Sequence, residues 1–241
     1  MAKRQQRSSV AFFYAKIMAT IISTLDDAIN YLNTLFEGDS TPPTSGEEDY
    51  EVWTSLLNVG INIWENEEGV LWRSLFTTLT AAADGDKETV AADHSYTLPT
   101  LFQFPASAFV WLGAGNQKIP YTIVPIEKVQ LMENDSGRWC YFTETTLEFN
   151  PNLTIDGGNT ISYNFYKYAT KLTTGSSTFE MSDPFFAVYY ALSELKKDEG
   201  DTSPLNIATQ KLEAMKTKNI MPSWYQGNQL DGVNVGDGFG I

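Results

Sequence analysis

The chain has 241 residues, thirty of them acidic and sixteen basic, for a net charge of −14. Apolar residues make up 42% and aromatics 13%, enough for a packed core, which excludes wholesale disorder. The acidity argues against a general nucleic-acid binder, and a single cysteine (Cys140) with a single histidine (His94) excludes an intrachain disulfide, a zinc cluster and a multi-histidine metal site.

Residues 1–22 read as a basic extension. Lys3, Arg4, Arg7 and Lys16 fall in the first seventeen residues with no acid, which leaves the other 224 with a net charge of −18. The charged start resembles that of a secretory leader, but Lys16 interrupts the apolar stretch and no clean small-x-small cleavage site follows. No apolar run is long enough to span a membrane. From Asp26 to Trp72 there are eleven acids and no base. Within this stretch Ser23–Asp26 reads as a capping box, and Leu25, Ala28, Ile29, Leu32 and Phe36 recur at helical spacing until Gly38. A loop with Pro42 and Pro43 follows. Ser45 with Glu48 then marks a second helix striped by Trp53, Leu56, Leu57, Ile61 and Trp64. A third short helix is expected from Leu71 to Ala83, which makes residues 23–83 a helical part.

The pattern then changes. Phe109–Leu112 and Tyr121–Val124 read as strands. Trp139, Tyr141 and Thr143 alternate with Cys140 and Phe142, and Leu147 and Phe149 with Thr146 and Glu148. Ile161, Tyr163 and Phe165 alternate with Ser162 and Asn164. Together with the turn signal Asp156–Asn159, this predicts an antiparallel β domain over residues 84–178 with one buried face. Helices return over 179–219. Ser182-Asp183-Pro184 opens one carrying Phe186, Val188, Tyr189, Leu192 and Leu195, and Ser203-Pro204 opens another carrying Leu205, Ala208, Leu212 and Met215. The expected fold class is α+β: a helical bundle with an inserted antiparallel β domain, its two helical parts sharing one core, and an extended C-terminal arm at 220–241.

Catalytic patterns are weak. His94 and Cys140 make a nucleophile–base pair only if the fold brings them together, and a serine triad would need the same histidine. Asp84, Asp86 and Glu88 resemble the start of a calcium loop, which lacks glycine at its sixth position and has Ser95 at its twelfth. The carboxylates of Glu65, Glu67 and Glu68 have no second group at glycosidase spacing, and no helix follows the glycines of Gly236–Gly240 to hold a phosphate. No catalytic residue, cofactor or metal is assigned. The arm is more informative. Trp224, Tyr225, Leu230, Val233, Val235 and Phe239 are anchors along a glycine-rich backbone, suited to a segment that orders in the grooves of a partner.

The order of these segments resembles that of tailed-bacteriophage head-to-tail adaptor proteins, the connector or tail-tubular-like ring beneath the portal. Met18–Leu25 is similar to the opening of that family's first helix, Leu57–Trp64 with Trp72 to its second, and Tyr96–Pro99 with Phe102 to the start of its β domain. Gly137, Arg138, Tyr141, Leu147, Phe149 and Pro151 resemble its central hairpin, and Asp183–Leu195 with Leu205–Met215 its closing helix pair. The resemblance implies a structural virion protein without catalysis, assembled in the host cytoplasm. It implies a homo-oligomeric ring, typically dodecameric, joining the portal to the tail or nozzle, with the C-terminal arm docked on the portal and double-stranded DNA passing through the lumen without sequence-specific binding. An acidic lumen or rim is then expected from Asp26, Asp27, Glu47, Glu48, Asp49, Glu51, Glu65, Glu67 and Glu68. The alternative is a carbohydrate- or receptor-binding module of a virion that uses Trp111, Trp139 and Tyr166.

Overall fold

The computed structural model describes residues 21–38, 41–79, 84–113 and 117–219. The chain divides into two compact units, one of residues up to Val70 joined with those from Lys171 onward, the other Leu71–Thr170. The first holds four α-helices among the described residues: α1 (Leu25–Phe36), α2 (Glu48–Glu65), α3 (Phe185–Leu195) and α4 (Ser203–Asn219).

The capping box of α1 forms one residue later than its sequence reading. Thr24 Oγ1 accepts from the Asp27 N–H (3.2 Å), and Asp27 Oδ2 accepts from the amides of Thr24 (3.0 Å) and Ser23 (3.1 Å). Two more first-turn amides are satisfied by the segment entering from the other half of the chain: Leu25 N–H donates to Ser177 O (2.9 Å) and Asp26 N–H to Gly175 O (3.0 Å). The Ser45 cap on α2 is not made. Glu47 is the N-cap residue, and its carboxylate reaches back to the Thr44 amide (2.6 Å).

Helix α3 is the hub, packing against α1, α2 and α4 and burying Phe186, Ala187, Val188, Ala191 and Leu192. Its approach to α2 needs a glycine, because a methyl on Gly60 would sit 3.1 Å from Ala187 Cα. The backbone of Leu172 is clamped to α2 from both sides: Asn58 Nδ2 donates to Leu172 O and Asn58 Oδ1 accepts from Leu172 N–H, each at 2.9 Å.

The second unit departs from expectation at its first element. Where a third helix was predicted from Leu71, the chain makes a 3₁₀ turn (Arg73–Leu75) and strand β1 (Phe76–Thr78). Eight more strands follow: β2 (Ser95–Thr97), β3 (Phe102–Pro105), β4 (Phe109–Leu112), β5 (Ile119–Ile123), β6 (Trp139–Phe142), β7 (Thr146–Phe149), β8 (Ile161–Ser162) and β9 (Asn164–Lys167). They form a three-stranded sheet, β1-β9-β3, and a six-stranded sheet, β2-β7-β6-β5-β4-β8. Val110, Leu112, Tyr121, Cys140, Leu147, Phe149 and Ile161 of the large sheet share one core with Phe102 and Phe165 of the small one and with Tyr163, which lies between β8 and β9. Phe102 joins them, stacked on Phe142 (5.1 Å between centroids) and tilted against Phe165 (5.4 Å).

The fold is therefore not a helical bundle with an inserted antiparallel β domain. It is a mixed α/β structure in which the larger sheet is itself mixed, since β5 and β6 run parallel (Thr122↔Trp139, Ile123↔Cys140). The cause is the segment between them, which carries a 3₁₀ turn (Ile126–Met132) and returns the chain to the same end of the sheet, as a parallel pair requires. Asn150, fully buried, fixes the end of this crossover by donating to Asp135 O (2.8 Å) and Gly137 O (2.7 Å). The turn signal at Asp156–Asn159 does not close a hairpin either: β8, which follows it, pairs with β4.

Candidate functional site

The nine acidic positions separate into two groups. Five carboxylates have structural partners. Asp27 belongs to the α1 cap. Burial raises its pKa, but hydrogen bonds from the Ser23 hydroxyl and amide and from Thr24 prevail, and its carboxyl is held below the ordinary aspartate value. Asp26 Oδ1 accepts from the Tyr50 hydroxyl (2.9 Å), which sets the first turns of α1 and α2 side by side, and Glu47 is tied to Thr44. Glu65 is buried and ion-paired with Lys171 (2.8 Å), which also bonds Asn62. Glu67 pairs with Lys216 of α4 (2.8 Å). Glu48, Asp49 and Glu51 on the first turn of α2, and Glu68 beyond its end, are exposed, and none of them has an ion-pair partner among the described residues. Lysines from the far half of the chain thus neutralise Glu65 and Glu67 near the C-terminal end of the base-free stretch, whereas Glu48, Asp49, Glu51 and Glu68 have no ion-pair partner among the described residues.

The candidate chemistry of the β unit does not converge. Cys140 is fully buried, its Sγ directed at Tyr121 O (3.9 Å), and burial pushes its thiol up to about 12. His94 Nε2–H donates to Leu153 O (2.7 Å), and no hydrogen bond joins it to Cys140. Both oxygens of Asp84 accept from the Thr100 amide (3.1 Å), and Thr100 Oγ1 bonds the same carboxylate; these bonds hold its pKa low. Asp86 accepts from the Thr97 amide (2.7 Å). These carboxylates close loops rather than turn toward a common ion, and among the described residues no group of three His, Cys, Asp or Glu side chains is arranged to hold a metal. A cleft of ≈530 Å³ lies beside this loop, lined by Leu79, Gly85, Asp86, Lys87, Glu88, Thr160 and Ile161.

The three aromatics named from sequence have different fates. Trp139 is buried at 2% exposure, with its Nε1 lacking a hydrogen-bond partner among the described residues. Trp111 is 37% exposed beside Phe109 (6.0 Å between centroids) on the face of β4 opposite the core. Tyr166 is the middle of a ladder that sequence reasoning missed, between Phe76 (5.7 Å) and Phe104 (5.2 Å) across β1-β9-β3. Alternation of Tyr166 with the core residue Phe165 was the one available signal for its outward face. Trp224, Tyr225, Leu230, Val233, Val235 and Phe239 lie outside the described residues, as do Lys3, Arg4, Arg7, Lys16 and the Gly236–Gly240 run.

No helix among the described residues is long and apolar enough to cross a membrane. No known protein family matches the chain, and no characterised protein matches it.

Proposed function

We propose that this chain is a structural virion protein of a tailed phage, one subunit of an adaptor ring that joins the portal to the tail or nozzle and lets double-stranded DNA pass. The observation that carries the reading is the exposed acidic rim of Glu48, Asp49 and Glu51, with Glu68 at the other end of α2, none of them ion-paired among the described residues. A ring repeats this rim around its axis. Copies closer than the Debye length, about 8 Å at physiological salt, act as one field that holds phosphate off the wall. The arm at 220–241, with its aromatic and aliphatic anchors, is the part that docks on the portal.

The test is electron microscopy of the chain produced together with the portal protein of its own genome, for the full chain and for a chain ending at Met221. The full chain is expected to add a ring to the portal, and the truncated chain to stay folded but unattached. Attachment of the truncated chain overturns the docking role, and failure of the full chain to attach overturns the adaptor reading. Duplex DNA binding is expected to rise when Glu48, Asp49, Glu51 and Glu68 are changed to Gln or Asn; unchanged binding counts against the acidic wall.

The exposed aromatic pairs favour a second reading, a carbohydrate-binding module of a virion. Stacking of sugar rings on the Phe76–Tyr166–Phe104 ladder or on Trp111 would be detected in a glycan screen, and Tyr166→Ala or Trp111→Ala would abolish it.

A further inference from the structure

Within the helical unit an amine, a carboxamide and a carboxylate meet at one point. Lys171 Nζ donates to Glu65 Oε1 at 2.8 Å and also to Asn62 Oδ1. Asn62 and Glu65 lie three residues apart in α2, so their side chains share one face of the helix. The backbone holds the arrangement. Asn58, one turn before Asn62, bonds both the amide and the carbonyl of Leu172 at 2.9 Å, and the Leu172 side chain is buried. Lys171 therefore reaches α2 from beside a fixed peptide rather than from a free loop. Asn62 Cγ lies one carbonyl bond, about 1.2 Å, from the oxygen that Lys171 contacts, so the amine is within reach of that carbon. Glu65, with 4% of its side chain exposed, meets the lysine away from bulk water, while Asn62 is exposed and leaves a small product a way out. An ion pair needs only two of these three groups.

We infer that Lys171 and Asn62 join in an intramolecular isopeptide bond, with Glu65 as the catalytic residue that carries protons between them. Glu65 takes a proton from the Lys171 ammonium, and the freed lone pair of Nζ attacks Asn62 Cγ, pushing the carbonyl π pair onto Oδ1. Glu65 passes that proton to Asn62 Nδ2 and takes a second one from Nζ. The Oδ1 pair then rebuilds the carbonyl, the Cγ–Nδ2 bond breaks, and ammonia leaves. Ammonia collects the proton left on Glu65 and departs as ammonium, which restores the carboxylate. The balance needs no oxidant or co-reactant, and each chain reacts once, so a slow step suffices. The bond closes a loop that contains the whole of Leu71–Thr170. A cross-link over so long a loop removes conformational freedom from the unfolded chain, as a disulfide does, and the single buried Cys140 supplies no disulfide within the chain. It also fastens to α2 the segment whose Gly175 and Ser177 carbonyls close α1. The ion pair with Glu65 is the reactant state, and it is all that Lys171 contributes to an unreacted chain. The inference does not depend on the adaptor reading.

The test is intact-mass measurement of the denatured full chain, followed by tryptic digestion. Allowing for removal of Met1, the native chain is expected to fall short of its sequence mass by one ammonia, and its digest to contain a branched peptide joining Asn62 to Lys171. Lys171→Arg, Asn62→Ala and Glu65→Gln are each expected to keep the full mass, and Glu65→Asp, which retains a carboxylate, to recover part of the bond. A native chain of full mass overturns the inference, whatever the fold of the variants. So does a loss of ammonia without the branched peptide, because an asparagine also loses ammonia by closing on its own backbone. A branched peptide that forms undiminished in Glu65→Gln overturns the catalytic role of Glu65.

Discussion

At Lys171 a partly exposed side chain helps to hold a buried carboxylate. Glu65 has 4% of its side chain exposed and its ion-pair partner lies 2.8 Å away. Lys171→Met would remove that 2.8 Å ion pair. Because Lys171 is itself 39% exposed and partly screened, the expected cost is about 1–3 kcal/mol rather than that of a fully buried pair. Lys197→Ala, at an exposed pair, should stay within about 0.5 kcal/mol, and urea unfolding of the two variants measures both. Alkali acts at the same scale. Burial, then the bond to Asp26 and its charge, push the Tyr50 hydroxyl up to about 12 from an ordinary 10.0, and burial moves the Cys140 thiol to about 12 from 9.0. Both groups favour the folded state in their neutral forms. Their contribution is complete below the unfolded values and is lost as pH rises through 9 and 10 toward about 12. The urea midpoint should therefore fall steadily above about pH 9, and a flat profile would contradict these burials.

At the scale of elements, the α2–α3 crossing rests on Gly60. Gly60→Leu is expected to lose about 1–3 kcal/mol by overpacking against Ala187, whereas Ser55→Leu on the exposed side should change stability by less than about 0.5 kcal/mol. Thermal unfolding of the two variants decides it. The four described helices were legible because their signals are local: Leu25, Ala28, Ile29 and Leu32 are periodic and Pro204 is confined to a first turn, although the α1 box was read at Ser23–Asp26 rather than at Thr24–Asp27. The strands were legible as segments but not as partners. Leu71, Leu75 and Leu79 are spaced as on a helix, yet Phe76–Thr78 becomes a strand because Asn164–Tyr166, far along the chain, pairs with it. The parallel β5–β6 pair escaped for the same reason, since alternation gives the face of a strand and not the direction of its neighbour. At the acidic site the carboxylates were visible, but Lys171 and Lys216, which neutralise two of them, carry no sign in sequence of whom they meet.

For the whole molecule, the separation into two units makes a claim about autonomy. The antiparallel β1–β9 pairing (Phe76↔Tyr166) brings the two ends of Leu71–Thr170 together, and the unit has its own core. Produced alone, residues 71–170 are expected to fold, with a dispersed amide spectrum and one cooperative unfolding transition. A collapsed spectrum without dispersion would show that this unit depends on the helical one.

The closure of α1 by the 174–178 segment bears on synthesis. The amides of Leu25 and Asp26 receive their acceptors, Ser177 and Gly175, only after the ribosome has made the whole β unit, and the hub helix α3 emerges later still. During translation the first two helices are held without their central partner while Leu71–Thr170 is free to fold behind them. The helical unit is begun first and completed last, so the growing chain passes through a stage in which Leu25, Ile29 and Leu57, fully covered in the finished protein, face water or a chaperone.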